Sequence, residues 1–246
     1  DGGLLTDSIM LAQIRPRDNE VRLISIPRDL WAPIPVSEEE TINRKINEAY
    51  AVGADDKKYP NKKVEFTGEA GGGEMAKYVV EQVTGIKPDY FAAIDFDGFV
   101  KIIDTLGGIN VDVEKPDYRY NLDIDCGSGY VCEQNSNREF GNNLIKIKYG
   151  NQTLNGEQAL AYLRNRHQYA SGDVARQKHQ QQVLEGITDK LMSKTILTKY
   201  NSILKSLSNG IKTNIDKDTI SKLVTKQLKD NNGWNIESVV ATGKDA

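Results

Sequence analysis

Two nearly continuous apolar stretches open the chain, SIMLAQI from Ser8 to Ile14 and VRLISI from Val21 to Ile26, with Pro16, Asp18 and Asn19 between them. Short apolar runs bounded by turn residues read as strands, so the pair predicts a hairpin of two largely buried strands. The period then lengthens. Met75, Val79, Val80 and Val83 recur at spacings of three and four, which predicts a helix, and Gly85 is placed to end it. YFAAID reads as a strand. Phe99, Ile102, Ile103 and Leu106 repeat the helical spacing, Gly107 and Gly108 stop it, and INVDV reads as the next strand. A β-α-β-α-β order calls for an α/β fold, a single layered domain in which a central mixed sheet carries helices on both faces.

From Glu114 to Gly150 the periodicity is lost, and Asp, Asn, Gly, Tyr and both cysteines collect, which predicts a long loop excursion within that domain. Order returns at Asn155. With Gln158 three positions later it forms a capping-box pattern that opens the helix GEQALAYLR. A second helix starts near Asp173 and carries Val174, Val183, Leu184, Ile187 and Leu191. Amphipathic segments follow at Ile196 to Leu207 and Thr219 to Leu228, and WNIESVVA closes as a strand. Neither an internal repeat nor a low-complexity linker divides the 246 residues, which predicts one domain over 1–246.

Charge and composition narrow what such a domain can do. Lys and Arg number 32 against 35 Asp and Glu, a net charge of −3, so no overall basic field marks a general nucleic-acid binder. Any polyanion must meet a local cluster of arginines. No apolar run approaches the roughly 18 residues that cross a bilayer. Two His and two Cys exclude multi-cysteine zinc folds. Cys126 and Cys132, close together in a polar turn-rich stretch, are placed to form a disulfide in an oxidising compartment, and the start at DGG suggests an excised ectodomain.

The arginines carry the candidate chemistry. Arg28 follows a buried strand in SIPRD, and strand ends are where α/β proteins bind ligands. Arg164 and Arg166 in YLRNRH share a side only if the chain leaves the helix and becomes extended, where they would form an anion clamp. Asp173 and Arg176 share one face of the next helix, continued by His179 and Gln180. Guanidinium forks match phosphate oxygens in a bidentate way that lysine does not. At the N-terminus, Asp1 and Asp7 flank the loop GGLLT and offer hard oxygen ligands suited to Mg²⁺.

Assembled in order, TDSIML, SIPRD, KINEAY, GFVKIIDTLGGINVDV, LNGEQALAYLRNRH and GDVARQKHQQQ resemble the LytR-CpsA-Psr family of cell-wall phosphotransferases, over Asp1 to about Lys190. The resemblance implies an enzyme at the extracytoplasmic face of a bacterial, Gram-positive, cytoplasmic membrane. A first strand and an N-terminal transmembrane anchor would precede Asp1. It implies Mg²⁺-assisted transfer of a glycopolymer, a teichoic acid or capsular polysaccharide, from a polyprenyl (undecaprenyl) pyrophosphate carrier to a peptidoglycan sugar hydroxyl. The alternatives are a polyprenyl pyrophosphate hydrolase and, from the family's name, a transcriptional regulator.

By the same resemblance Asp1 and Asp7 would hold Mg²⁺, and Arg28, Arg164, Arg166 and Arg176 would bind the pyrophosphate. Asp173 would be the functional acidic residue between them. An apolar tunnel for the polyprenyl tail is expected among Val79, Val83, Phe99, Ile103, Val183 and Ile187, which read equally well as core. Two positions depart from the family pattern: Leu5 stands where an arginine is usual, and so does His179.

Overall fold

The computed structural model describes residues 4–117, 129–134, 144–191, 193, 210–230 and 234–240. They separate into two compact units: residues 1–93, 212–226 and 235–246, and residues 94–211 and 227–234.

In the first unit the hairpin forms as expected. β1 (Ile9–Arg15) pairs antiparallel with β2 (Glu20–Ile26), and Asn19, left-handed at φ 51°, makes the turn. Only β2 is largely buried, through Val21, Leu23 and Ile26; β1 is half-buried to exposed. The reason is position in the sheet. β2 lies between β1 and a parallel strand from the C-terminal part of the chain, so among the described residues β1 is an edge. A second hairpin, β3 (Trp31–Pro35) with β4 (Thr41–Lys45), was not predicted. Next come α1 (Ala49–Ala54) and α2 (Gly71–Thr84), which buries Met75, Val79 and Val80 and ends at Gly85, at φ 70°. These join Ile26, Ala32, Ile34, Ile46 and Phe66 in one apolar cluster.

β5 (Ala92–Ile94) and α3 (Phe96–Thr105) follow, and α3 is capped by the Asp95 side chain, which accepts the Gly98 N–H at 2.7 Å. After Gly107 and Gly108, both at positive φ, β6 (Ile109–Val113) alternates buried and exposed residues. The expected excursion at 114–150 is partly strand: β7 (Tyr130–Gln134) pairs antiparallel with β8 (Leu144–Lys148). Val131 and Ile147 face each other across that pair and are fully buried, so this segment belongs to the core. Cys132 on β7 is disulfide-bonded, while Cys126 lies outside the described residues. β9 (Gly150–Leu154) pairs with β6.

α4 (Gly156–Arg164) opens with the capping box the sequence predicts, Asn155 and Gln158 bonding each other's backbone. α5 (Asp173–Leu191) packs Ala175, His179 and Val183 inward against Ile103, Ile109 and Tyr162. The predicted segment 196–207 lies outside the described residues. β10 (Ile211–Thr213), α6 (Lys217–Asp230) and β11 (Asn235–Val240) complete the chain, and β11 pairs with β2. The fold is α/β with a mixed three-stranded sheet, as expected; the remaining described strands form two-stranded pairs. Among the described residues no helix is long and apolar enough to cross a membrane.

Candidate active site

In the first unit Arg28 stands just beyond the end of β2, and backbone hydrogen bonds determine where. The Asn47 N–H donates to the Arg28 carbonyl at 3.2 Å, and the Thr6 N–H donates to the Asn47 carbonyl at 3.2 Å. Asn47, buried in the KINEAY stretch, therefore ties the segment that carries Asp7 to the one that carries Arg28. The side chains meet. Arg28 Nη1 donates to Asp7 Oδ1 at 2.8 Å, and Lys45, from the same KINEAY stretch, donates to Asp29 Oδ1 at 2.8 Å. Of the two carboxylates expected to hold Mg²⁺, Asp7 is thus in place beside a phosphate-binding candidate, and Asp1 lies outside the described residues. Leu5, at the departure from the family pattern, is exposed.

In the second unit the chain leaves α4 at Arg164, and Asn165 turns extended at ψ 129°. This is the geometry the two-residue spacing of Arg164 and Arg166 requires, but their guanidiniums find separate partners. Arg164 lies over the Phe96 ring, 5.2 Å from its centroid. Arg166 Nη1 lies 3.4 Å from Asp173 Oδ1, and Arg176 Nη2 lies 3.2 Å from the same oxygen. A single carboxylate oxygen at the first residue of α5 therefore gathers two guanidiniums, offsetting their mutual repulsion and leaving net positive charge. Asp173 also suits the positive end of the helix dipole. Arg176 is nearly buried, with 11% of its side chain exposed, whereas Arg166 is 40% exposed. One guanidinium is held by packing and the other faces solvent.

His179, where the family usually has arginine, is fully buried. Its ring stacks on Tyr162 at 4.2 Å and meets Tyr169 edge-on at 4.5 Å. Its Nδ1 lies 3.2 Å from the Asn165 carbonyl, which only accepts, so the proton sits on Nδ1. Burial pushes its pKa down to about 4, although the Asn165 carbonyl and Glu114 pull the other way. The imidazole is neutral at pH 7 and cannot replace the charge of an arginine. Burial likewise pushes the Tyr162 and Tyr169 phenols up. Tyr169 donates its hydroxyl to the Glu114 carbonyl at 2.9 Å, the Glu114 N–H donates to the Tyr162 hydroxyl at 3.1 Å, and Lys178 pairs with the Glu114 carboxylate.

The apolar candidates fall into the cores of their own units. Val79, fully buried, and Val83, partly so, belong to the first unit's cluster. Ile103 and Val183, with Phe99 and Ile187 packed against them, belong to the second unit's. Sequence reasoning missed Asn47, Glu114, Asn165 and Gln168, the polar residues that tie separate segments together. Nothing local marks them, because the partners of Asn47 and Glu114, and the β7 partners of Asn165 and Gln168, are distant in the chain.

The model of the LytR_cpsA_psr family matches residues 2–246. A Bacillus anthracis protein named polyisoprenyl-teichoic acid–peptidoglycan teichoic acid transferase TagU is 30% identical over 225 residues, 92% of this chain and 59% of that protein. The crystal structure of Bacillus subtilis TagV matches with a TM-score of 0.69 and 26% identity, covering 98% of this chain and 78% of that one. Protein gbs0355 of Streptococcus agalactiae matches with a TM-score of 0.71 and 27% identity, over 98% of this chain and 71% of that one. The chain spans 59% of the length of the first of these relatives.

Proposed function

Since the chain belongs to the LytR-CpsA-Psr family, we propose that it is a phosphotransferase, moving a teichoic-acid-type glycopolymer from a polyprenyl pyrophosphate carrier to a peptidoglycan sugar hydroxyl. The observation that carries this reading is the pair of guanidiniums gathered on Asp173. A solvated basic patch needs no such arrangement, and lysines would serve it as well. The names of the transferase relatives support the same reading.

The chemistry follows from charge. Cleaving a pyrophosphate to form a phosphodiester places negative charge on both the transferred and the leaving phosphate, and preorganised guanidiniums stabilise it with little covalent work by the protein. Arg176, in the first turns of α5 and nearly buried, would supply a fixed donor. Arg166 and Arg164, at the end of α4, would supply donors that reach solvent. Arg28, whose guanidinium donates to Asp7, is the phosphate-binding candidate of the first unit. The incoming hydroxyl gives up its proton to a carboxylate, Asp173 or Asp7.

Asp7 fits a Mg²⁺ ion as one hard oxygen ligand, with Asp1 as the second expected one. A Mg²⁺ ion held by one or two carboxylates completes its shell with water and substrate phosphates. When bound, Mg²⁺ would neutralise pyrophosphate charge. Phe99 and Ile187, partly buried against the second unit's core, are apolar candidates to meet a polyprenyl tail, at the extracytoplasmic face of the membrane where carrier and peptidoglycan both occur. A hydrolase would use the same groups with water as acceptor. Mass spectrometry of lipid co-purified from a Gram-positive host tests the carrier assignment: a polyprenyl pyrophosphate or its glycopolymer conjugate is expected, and phospholipid alone would contradict it.

A further inference from the structure

The residue between the two arginines of YLRNRH is held more firmly than either of them. Asn165 is 1% exposed. Its backbone N–H donates to the Ala161 carbonyl at 3.1 Å, closing the last turn of α4. Its carbonyl accepts from His179 Nδ1 on α5 at 3.2 Å. Its side-chain Nδ2 donates to the Cys132 carbonyl on β7 at 2.7 Å and to Gln168 Oε1 at 3.2 Å. Gln168 Oε1 in turn accepts the Cys132 N–H at 2.7 Å, and Gln168 Nε2 donates to the Tyr130 carbonyl at 3.3 Å. Asn165 and Gln168 together thus bond the backbone of β7 at both Tyr130 and Cys132.

Three elements therefore converge on one residue: α4 through its backbone N–H, α5 through its carbonyl and β7 through its side chain. A surface arginine pair needs no such anchoring, and burying a carboxamide is costly unless it is hydrogen-bonded. What the anchoring achieves is orientation. The φ and ψ of Asn165 set the directions in which Arg164 and Arg166 leave the main chain, and an extended link is what allows both to reach one anion. We propose that Asn165, bonded to β7 with Gln168, is a positioning residue that holds Arg164 and Arg166 in the orientation that binds the pyrophosphate of the carrier. Asn165 itself touches no substrate. The proposal rests on the functional reading above, and its test separates the two.

The probe is farnesyl pyrophosphate, titrated calorimetrically into the whole chain, with each dissociation constant referred to the folded fraction measured by circular dichroism. Asn165→Ala should weaken binding about tenfold in the wild-type background. In a chain already carrying Arg164→Ala and Arg166→Ala it should change binding less than threefold, because there is nothing left to orient. A merely structural role would give the same factor in both backgrounds, and that result, or wild-type affinity for Asn165→Ala, overturns the proposal. Gln168→Leu, which removes the Gln168 bonds to β7 and leaves the Asn165 bond to the Cys132 carbonyl, repeats the test if Asn165→Ala does not fold. It should weaken binding severalfold, and unchanged affinity overturns the proposal. If the Arg164→Ala, Arg166→Ala chain itself binds farnesyl pyrophosphate as the wild type does, the arginine assignment fails and the positioning role falls with it.

Discussion

Asp173 Oδ1 lies within 3.4 Å of two guanidinium nitrogens, so the two arginines share one partner and their mutational effects should couple. Arg166→Ala removes the solvent-facing partner. It should lower transfer by one to two decades, since a charge-assisted hydrogen bond is worth about 1.5–3 kcal/mol, with little change in thermal unfolding. A large shift in unfolding with unchanged activity per folded molecule would instead make Arg166 structural. Asp7→Ala should abolish Mg²⁺-dependent turnover, and chelation of the wild type should mimic it; unchanged Mg²⁺ dependence would remove this carboxylate from the mechanism. Leu5→Arg restores the usual family residue at an exposed position, so it should tighten pyrophosphate binding and weaken its dependence on Mg²⁺.

His179 makes a prediction about pH. Its pKa in the folded protein is about 4, below the ordinary 6.5, so between those values the unfolded chain binds more protons. Stability should therefore be fully present above about pH 6.5 and fall by about 3 kcal/mol as the pH drops toward 4. Glu114, Lys178, Tyr162 and Tyr169 surround the ring; of these the Glu114 carboxylate and the Tyr162 backbone favour the protonated form, and the Lys178 ammonium opposes it. Denaturant unfolding across this range measures the slope. The slope should flatten in His179→Gln, and an identical slope would place the acid sensitivity elsewhere.

Among the elements, α4 matters most because it carries Arg164 at its end and Asn165 as its C-cap. Asn155→Ala removes the Asn155 side-chain bond of its N-terminal capping box and should cost about 1 kcal/mol, read as a lower thermal midpoint with the arginine site still functional. This helix was legible from Asn155 and Gln158 because capping acts within one turn. The same holds for α2 with Gly85 and for α3 with Gly107, where periodicity and a stop signal coincide. The β3–β4 hairpin was not legible: Pro33 and Pro35 argue against a strand, yet in a two-stranded pair each strand has one unpaired side that tolerates a missing N–H. β7 and β8 were hidden for another reason. Each holds five residues in polar surroundings, and their burial depends on Val131 meeting Ile147 across the pair. At the site, Asp173 and Arg176 were legible from helical spacing, whereas the bonds from Asn165 and Gln168 to β7 join residues more than 30 positions apart.

At the scale of the molecule, the family match spans both compact units, and each unit has its own apolar core and its own arginine-bearing segments. A net charge of −3 gives the chain no general attraction to nucleic acid. Its positive charge acts where arginines are gathered. The claim that this charge serves phosphoryl transfer is tested most directly by incubating the chain with Mg²⁺, a defined saccharide on polyprenyl pyrophosphate, and a peptidoglycan fragment, then following both products by mass spectrometry. The account predicts a saccharide joined to the fragment by a phosphodiester, with polyprenyl phosphate released in equal amount. Release of polyprenyl phosphate with free saccharide phosphate and no conjugate would contradict it and make the chain a hydrolase.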